Sequence, residues 1–581
     1  MREITLSSYR WVLRVQPDES IVSTLSSQLA IPRPIARVLA SRGMQTPTEA
    51  QQYFTPRLDD LHDPFLLPDM ERAVERIEQA IAAKETIWVH GDYDVDGTAS
   101  TAMLVEFLRS IGGKVCYYIP ERLTEGYGIS RQSIHAAITA GARVLITVDC
   151  GITSVEMIEY ARAQGLDVIV CDHHEPAEVL PPAYAILDPL VPDCPYPFKH
   201  LAACGVTFKL IQALCIRRNI EEVAFDYLDY VAVASAADIV PLIGENRILV
   251  AHGLRKLNTN PRPGFRGLID CTGGEYGSIT TSSIVYGIAP RINAAGRLGD
   301  ARRAVEMMMQ SDPILAFRIA QSLDHDNRKR RTLDEITYEQ ARKQAEEVLA
   351  TQSRRSLVLH SSSWHPGVIG IVASRLVEKF HLPTILLTSG DDGIAKGSAR
   401  SIRDFDIHAA LRRCEPILLE YGGHKHAAGL ALRLENIPLL RDMFDSIAQE
   451  SISDAMLVPE LTIDAPLELP ELTPSVLEVL PRFAPYGFNN TKPLFIADNV
   501  RLVGGIRQMG RNQVRFRTLQ SNFVIDAVAT FSADKTAILQ RSASFAMIFS
   551  IEEETKGIPL LRVRDVRPSD SNASQAQSDW N

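Results

Sequence analysis

The chain has 581 residues and a formal net charge of −10 at pH 7, with 45% hydrophobic and 23% charged residues. This length predicts roughly three or four domains. The negative net charge argues against a protein whose whole surface binds nucleic acid non-specifically, but it is compatible with a local basic groove. No apolar stretch is long enough to span a bilayer, and the first residues lack the apolar core of a signal peptide. The eight cysteines form no C-x-x-C pair. We therefore expect a cytoplasmic protein with reduced cysteines and no membrane contact.

Residues 1–80 are predicted to form an N-terminal helical region without catalytic residues. The stretch that starts at Glu71, Glu-Arg-Ala-Val-Glu-Arg-Ile-Glu-Gln-Ala-Ile, has the apolar spacing of a short amphipathic helix. From residue 84 onward, apolar strands alternate with helical segments. This alternation predicts an α/β domain over residues 81–310 that is built on a doubly wound, mostly parallel sheet.

Acidic and histidine side chains follow three of the predicted strands. They are His90, Asp92, Asp94 and Asp96 after the first strand, Asp149 after the second, and Asp172, His173 and His174 after the third. Ligands gather beyond the carboxyl ends of the strands in such sheets, and clustered carboxylates repel one another unless a positive charge lies among them. An imidazole among carboxylates suits Mn²⁺, Mg²⁺ or Zn²⁺. One such Asp could be a helix cap, but three converging strand ends favour a metal site.

Asp238 is a fourth acidic candidate. It follows a run of small apolar residues, Val231-Ala-Val-Ala-Ser-Ala-Ala, that could pack tightly in the core and deliver one carboxylate. The residues around it leave two interpretations open, a metal ligand or a helix cap.

Three further segments complete the chain. Residues 311–352 are predicted to be a connecting helix or helix pair, whose basic cluster at 327–331 is either a solvated face or a contact with nucleic acid. Residues 353–452 alternate strands and helices and predict a second α/β domain. Residues 459–568 are β-rich, with apolar residues alternating with Arg515, Arg517, Arg562 and Arg564, and residues 569–581 have the composition of a disordered tail.

The motifs, in this order, resemble those of the DHH phosphoesterase superfamily. They are His90-Gly-Asp-Tyr-Asp-Val-Asp-Gly-Thr, Val148-Asp-Cys-Gly, Cys171-Asp-His-His-Glu-Pro and Ala236-Ala-Asp-Ile-Val-Pro-Leu. From about residue 50 to 568 the chain is similar to the bacterial single-strand-specific exonucleases of this superfamily. The resemblance implies a DHH catalytic domain, a DHHA1 substrate-binding domain and a C-terminal β-barrel OB-fold that binds the strand.

The resemblance also implies two divalent ions, with Mn²⁺ expected first and Mg²⁺ possible. His90, Asp94 and Asp149 would hold one ion; Asp96, Asp149, His173 and Asp238 would hold the other, with Asp149 bridging. A bridging carboxylate is consistent with the ~3.5–4 Å spacing of two-metal hydrolysis. We expect His174 to act on the phosphate as a donor or proton carrier, and Asp92 to support the ligands.

Substrate contacts are implied for two further groups of residues. Pro290-Arg-Ile-Asn-Ala-Ala-Gly-Arg-Leu-Gly matches a segment of the same exonucleases, and Arg291 and Arg297 are assigned to the strand path or the terminal phosphate, with a structural loop as the alternative. In the DHHA1-like domain the residues implied to bind substrate phosphates are Ser374, Arg375, Ser398, Arg400 and His424. The chain departs from the family at Gly487-Phe-Asn-Asn-Thr-Lys-Pro, where Gly-x-Gly-Asn-Pro is usual.

The function implied is 5′→3′ exonucleolytic hydrolysis of single-stranded DNA to nucleoside 5′-monophosphates in recombination and repair. The implied partners are single-strand binding protein and a RecQ-type helicase. The alternatives are a DHH hydrolase of short oligonucleotides or cyclic dinucleotides, and a non-catalytic strand-binding scaffold. The OB-like domain argues against the first alternative, and the complete set of acidic and histidine residues argues against the second.

Overall fold

A computed structural model describes residues 9–569 except 123, 391, 511 and 556, and leaves the side chain of residue 555 undescribed. Within this range the chain divides into two compact units. Unit I comprises residues 9–55, 332–483 and 492–569, and unit II comprises residues 56–331 and 484–491. The predicted disordered tail lies outside the described residues from 570 onward. No helix of the described range is both long and apolar enough to cross a membrane.

The N-terminal segment of unit I contains a strand as well as the predicted helices. Its elements are β1 (Arg10–Leu13), α1 (Glu19–Leu29), α2 (Arg33–Ser41) and α3 (Pro47–Phe54). β1 pairs in parallel with Glu460–Ile463, and Arg14 and Arg42 both bind the buried Asp464, at 3.1 and 2.9 Å. The partner of this strand lies about 450 residues away along the chain, so the first 80 residues alone could not show it.

Unit II is built on a five-stranded, fully parallel sheet. Its elements are α4 (Met70–Ala82), β2 (Thr86–Gly91), α5 (Val95–Ser110), β3 (Lys114–Tyr118), α6 (Arg131–Thr139), β4 (Ala142–Val148), α7 (Val155–Ala163), β5 (Asp167–Cys171) and β6 (Ala185–Leu187). The strand order is β3-β2-β4-β5-β6, which confirms the predicted doubly wound parallel sheet. The order reverses between β2 and β4, and a ligand site is expected beyond their carboxyl ends.

Helices follow the sheet in unit II. They are α8 (Ala203–Arg218), α9 (Leu228–Ala237), α10 (Gly244–Thr259), α11 (Pro263–Thr272), α12 (Thr281–Ser283), α13 (Ala289–Leu298) and α14 (Arg302–Met309), with a π-helical turn at Ile284–Ile288. The next helix, α15 (Pro313–Thr351), begins in unit II and ends in unit I. α5 is buried on almost all of its faces and packs against α8, α9 and α14, as expected for a helix in the middle of a core. α15 is one continuous helix, which resolves the predicted choice between a helix and a helix pair.

The second sheet belongs to unit I. Its elements are β7 (Leu357–His360), α16 (Pro366–Phe380), β8 (Thr384–Ser389), β9 (Ile394–Arg400), α17 (Ile407–Arg413), β10 (Leu418–His424), β11 (Ala427–Arg433) and α18 (Ile437–Ser451). The strand order is β10-β11-β9-β8-β7, and only the β7–β8 pair is parallel. This confirms the predicted second α/β domain.

The C-terminal part of unit I is a closed barrel. The elements are β12 (Glu460–Ile463), β13 (Ala465–Pro466), α19 (Pro474–Val479), β14 (Phe495–Gln508), β15 (Gln513–Gln520), β16 (Phe523–Thr530), α20 (Ala533–Arg541), β17 (Phe545–Thr555) and β18 (Ile558–Pro568). β14-β15-β16-β18-β17 lie side by side, and β17 pairs with β14 to close five strands. Phe516 is buried inside the barrel, while Arg517 faces outward.

The segment that departs from the family pattern forms a tight turn. Gly487 and Asn490 form an isolated bridge, and Asn489 adopts φ +57° where the usual sequence has glycine. Asn is the residue that best replaces glycine in this left-handed region, because its short side chain can hydrogen-bond locally. The substitution is therefore compatible with the same turn.

Candidate metal centre

The loop after β2 brings Asp92, Asp94 and Asp96 to the carboxyl edge of the parallel sheet. Asp94 caps α5, since its Oδ1 accepts a hydrogen bond from the Gly97 N–H at 3.1 Å. A Cβ added to Gly97 would lie 2.6 Å from backbone atoms of Asp92, so only glycine lets the loop close this tightly. The three carboxylates are therefore held by the backbone of the strand–helix turn.

His173, which follows β5, has three carboxylates around its imidazole. Its Nε2 is 3.4 Å from Oδ1 of Asp149, 3.8 Å from Oδ2 of Asp238 and 3.9 Å from Oδ2 of Asp96. These distances exceed an ordinary N–H···O hydrogen bond of ~2.7–3.2 Å. They approach the separation of about 3–3.5 Å between ligand atoms that share one ion with bonds of about 2.0–2.2 Å. The structure thus places together the four residues implied for one ion.

Asp149 lies between two groups of potential ligands. Its carboxylate is within 4.8 Å of ligand atoms of His173 and His174, and also of Asp92 and Asp94. The residue adopts φ +63°, which Asp tolerates better than most side chains, and this conformation lets the carboxylate follow directly on β4. A carboxylate shared by two groups is the arrangement that a bridging ligand requires.

His90 lies outside these groups, and Asp92 occupies the position beside Asp94 and Asp149 instead. The buried His90 ring stacks on Tyr118, and its Nε2 donates to the Gly128 carbonyl at 3.2 Å. Burial lowers the pKa of His90 to about 4, so the ring is neutral and Nδ1 carries the lone pair. Nδ1 of His90 and Oδ1 of Asp92 are buried, and neither has a hydrogen-bond partner among the described residues. Both atoms carry lone pairs without a hydrogen-bond donor, which is the state expected of groups that coordinate a nearby cation.

His174 is oriented by contacts with Asp172 and Tyr127. Its Nδ1 is 2.7 Å from Oδ1 of Asp172, and the Tyr127 hydroxyl, 3.3 Å from that nitrogen, also donates to the Asp149 carbonyl at 3.0 Å. Burial lowers the pKa of His174, but the hydrogen bond and charge of Asp172 outweigh it and raise the pKa to about 9. A protonated, oriented imidazole is able to donate a proton, which is the role expected of His174. Tyr127 was not predicted, because a tyrosine in a glycine-rich loop carries no specific signal.

Asp96 is held by the start of α8, a contact that the sequence did not reveal. Its two carboxylate oxygens accept hydrogen bonds from the N–H groups of Ala203 and Cys204, each at 2.8 Å. The N-terminus of a helix favours a negative charge. These two bonds fix the direction in which the remaining lone pairs of Asp96 point toward His173.

The segment around Pro290 packs on the loop of the metal centre. Asn293 accepts a hydrogen bond from the Val95 N–H at 3.2 Å, and a Cβ on Gly296 would lie 2.7 Å from the Tyr93 carbonyl. Arg297 lines a cavity of about 560 Å³ together with Arg122 and Arg302. The small residues of this segment therefore allow a close approach to the loop, and Arg297 remains a candidate for binding phosphate.

Arg291 is placed differently. It is almost fully buried, donates to the carbonyls of Gly287 and Cys271 at 2.7 and 3.1 Å, and pairs with Asp324 at 2.8 Å. These contacts hold together α11, the π-helical turn and α15, so they support the structural alternative rather than the strand path. Contact with a phosphate would require the guanidinium to leave these partners.

The DHHA1-like residues form one cluster and one outlier. Arg400 donates to Oγ of Ser398 at 2.9 Å, and both side chains approach Gly370, whose carbonyl accepts from Ser374 at 3.2 Å. Ala427 of β11 pairs with both Arg400 and His424, which puts these two residues in one row of the sheet.

Arg375 points elsewhere. It pairs with Asp334 and Glu335 at 3.2 and 3.1 Å and lies 3.7 Å over the Tyr338 ring. These contacts anchor α16 to α15, so Arg375 supports the scaffold instead of joining the cluster.

The carboxylates of the centre destabilise one another. Burial, and then the charge of Asp94, raises the pKa of Asp96 to about 7. Burial and neighbouring carboxylates also raise the pKa of Asp92, Asp149 and Asp238 well above the ordinary value. Several buried like charges are unfavourable without a compensating cation, so the electrostatics and the donor set both fit divalent metal binding.

Comparison with known families matches three parts of the chain. Residues 86–235 match the DHH family N-terminal domain, residues 353–450 the DHHA1 domain, and residues 463–557 the RecJ OB domain. The matches lie in the order that the resemblance implied, and the last of them agrees with the closed barrel of the structure.

Similar proteins include the single-stranded-DNA-specific exonucleases RecJ of Bacillus subtilis and Dickeya dadantii, each 36% identical to this chain. The matches cover 88% and 80% of this chain, and 64% and 83% of the respective relatives. A crystal structure of RecJ from Thermus thermophilus in complex with Mn²⁺ matches with a TM-score of 0.84 and 30% identity, over 98% of this chain and 81% of that one. On these similarities the chain belongs to the RecJ family of DHH-type, single-stranded-DNA-specific exonucleases.

Proposed function

We propose that this chain hydrolyses single-stranded DNA from the 5′ end with two divalent ions and releases nucleoside 5′-monophosphates. The observation that carries the proposal is the His173 imidazole with Asp96, Asp149 and Asp238 around its Nε2, next to a second acidic group that shares Asp149. The ions would be Mn²⁺ or Mg²⁺, as in the two Thermus thermophilus RecJ complexes. Ions bound here would supply an activated water and neutralise charge on the phosphate oxygens.

The residues of the centre divide into three roles in this proposal. Asp96, Asp149, His173 and Asp238 hold one ion. His90 and Asp94, with Asp149 and the nearby Asp92, hold the other. Protonated His174, oriented by Asp172, donates a hydrogen bond to the phosphate and delivers a proton to the leaving oxygen. The fixed orientation of this imidazole removes the reorganisation that a solvent-exposed acid would need.

Substrate contacts outside the metal centre are proposed for Arg297 in unit II and for Ser374, Ser398, Arg400 and His424 in unit I. Arginine forks bind phosphate oxygens through two parallel hydrogen bonds, and the grouping of Arg400 with two serines supports an anion site. The barrel would bind the strand through its outward-facing basic residues. Within the cell, we propose a cytoplasmic role in recombination and repair beside single-strand binding protein and a RecQ-type helicase.

The polarity of digestion can be measured directly with single strands that carry a label at one end only. We expect Mn²⁺-dependent release of labelled mononucleotide from the 5′-labelled strand at the earliest times, and shortening without early mononucleotide release from the 3′-labelled strand. The reverse order would overturn the polarity. Fast cleavage of dinucleotides with long strands left intact would instead favour the hydrolase of short oligonucleotides. Tight strand binding without cleavage would favour the scaffold.

Mn²⁺ binding should tighten as the pH rises. The pKa of Asp96 is raised to about 7, so below this pH the carboxyl holds a proton that the ion must displace. We expect the affinity for Mn²⁺ to increase about tenfold per pH unit between pH 5.5 and 7 for each displaced proton. Titration calorimetry in two buffers of different ionisation enthalpy measures the proton release; an affinity independent of pH would contradict this reading of the site.

A further inference from the structure

Unit II contains a cavity of about 220 Å³ beside Asp238. Residues that line it are Ser235, Ile239, Val285, Tyr286, Tyr486 and Phe488; we name it the Tyr286 cavity. Ser235 lies on α9 one helical turn before Asp238, and Ile239 follows Asp238 directly. Two lining residues of the cavity therefore lie next to Asp238 in the chain, and the Asp238 carboxylate is 3.8 Å from Nε2 of His173.

Large apolar side chains around this cavity are exposed. Tyr286 is 75% exposed, Ile239 59% and Phe488 53%. Exposing aromatic rings together around one concave site is unfavourable in water and typical of a binding surface. The rings stand on a fixed backbone, because the Leu242 N–H donates to the Phe488 carbonyl at 2.9 Å and the Thr281 hydroxyl to the Tyr486 carbonyl at 2.5 Å.

The local backbone around the cavity is unusual in two places. Ile239 adopts φ +59°, a conformation that is rare for a β-branched residue, and Tyr286 stands in the middle of a π-helical turn. Both features occur preferentially at functional sites, since folding does not require them. In addition, the Oγ of Ser235 is fully buried in the wall of the cavity and has no hydrogen-bond partner among the described residues.

We propose that the Tyr286 cavity holds one base of the bound single strand, stacked on Tyr286 and Phe488, while the adjoining phosphate lies at the metal centre. The inference rests on the proposed nuclease function and extends it. A volume of about 220 Å³ is below the ~300–1,000 Å³ of pockets for drug-sized ligands, so it suits one planar ring system. Every base offers a π-face for stacking, so such a site accepts any of the four bases.

This site also gives a physical reason for rejecting duplex DNA. A base in a duplex is already stacked and paired, so placing it in the cavity would require unstacking and unpairing at a cost of a few kcal/mol. A single strand has no such cost. The cavity thus selects unpaired strands at the nucleotide next to the scissile bond.

The test uses single strands in which one abasic position is moved along the sequence from either end. For the unaltered protein, one position next to the scissile phosphate should raise KM at least about fivefold, as expected when a single stacking contact is lost. The same comparison by equilibrium binding in EDTA separates this inference from the proposed function. If strands are not hydrolysed, the proposed function fails, while a position-specific loss of affinity would still support the base site.

Two variants and a control complete the test. In Tyr286→Ala and Phe488→Ala, the intact strand should bind as weakly as the abasic one, so the difference between them disappears. Tyr286→Phe should restore the difference, because it keeps the ring. Ile314→Ala, an equally exposed apolar residue on α15, should behave like the unaltered protein. Equal KM for intact and abasic strands in the unaltered protein, or a difference that persists in both alanine variants, would overturn the inference.

Discussion

Replacing Asp149 with Asn should lower the rate of Mn²⁺-dependent digestion of single-stranded DNA by about 10³-fold or more. Asp149 is the carboxylate shared by both groups of ligands, and the amide keeps its size but not its charge. Because burial and neighbouring carboxylates raise the pKa of Asp149 well above the ordinary value, removing this charge relieves repulsion. We therefore expect the metal-free variant to melt at or above the temperature of the unaltered protein, and to lose the further stabilisation that Mn²⁺ provides.

Asp193→Asn is the matched control for this experiment. Asp193 is exposed and adopts φ +58°, close to the +63° of Asp149, so both substitutions place Asn in the same left-handed backbone region. The control should retain full activity and the full Mn²⁺-dependent rise in melting temperature. Near-normal activity of Asp149→Asn, measured by release of labelled nucleotide, would refute the bridging role of Asp149.

Replacing Lys209 with Met should reduce the free energy of unfolding by about 3–5 kcal/mol. Lys209 and Glu245 form a fully buried ion pair at 2.7 Å in unit II. Lys209 also donates to the His62 carbonyl at 2.8 Å, and Glu245 accepts from the His62 N–H and the Tyr196 hydroxyl. Removing only the ammonium leaves a buried carboxylate without its countercharge, which costs more than the pair itself contributes.

Urea-induced unfolding measures this loss, with two companion variants. Lys114→Met removes an exposed lysine at the start of β3 and should change stability by no more than about 0.5 kcal/mol. Adding Glu245→Gln to Lys209→Met removes the unpaired charge and should recover a large part of the stability. A loss of unfolding free energy below about 1 kcal/mol in Lys209→Met, or no recovery in the double variant, would show that an unpaired Glu245 carboxylate does not cause the expected destabilisation.

Several parts of the site could be predicted because their signal is local. Strands of a parallel sheet end on one edge, so residues that directly follow β2, β4 and β5 had to converge. His173 and Asp149 needed no more information than this, and the ordered motifs identified the family. Asp238 was ambiguous between ligand and cap, because the run of small residues before it says nothing about where its helix ends in space. The fold then places it 3.8 Å from His173.

Other contacts could not be predicted, because they join residues far apart in the chain. The N–H groups that hold Asp96 lie more than 100 residues away, and Asn293 reaches Val95 across 198 residues. Arg291 and Arg375 have the residue type of a phosphate ligand, yet Asp324 and Asp334 pair with them in the folded chain. An arginine side chain is long and can reach several alternative partners. Its role therefore depends on which carboxylates the fold places close to its guanidinium.

The sequence by itself determined the sheet, the acidic edge and the family, because strand periodicity, strand-end chemistry and motif order are properties of short segments. The tertiary structure alone decided that Asp92 joins Asp94 and Asp149 in one group of potential ligands, that Asp172 orients His174, and that an aromatic cavity is lined by residues next to Asp238 in the chain. These features depend on side-chain direction and on packing between distant helices and loops. Such packing is set by the whole core, so no local pattern encodes it.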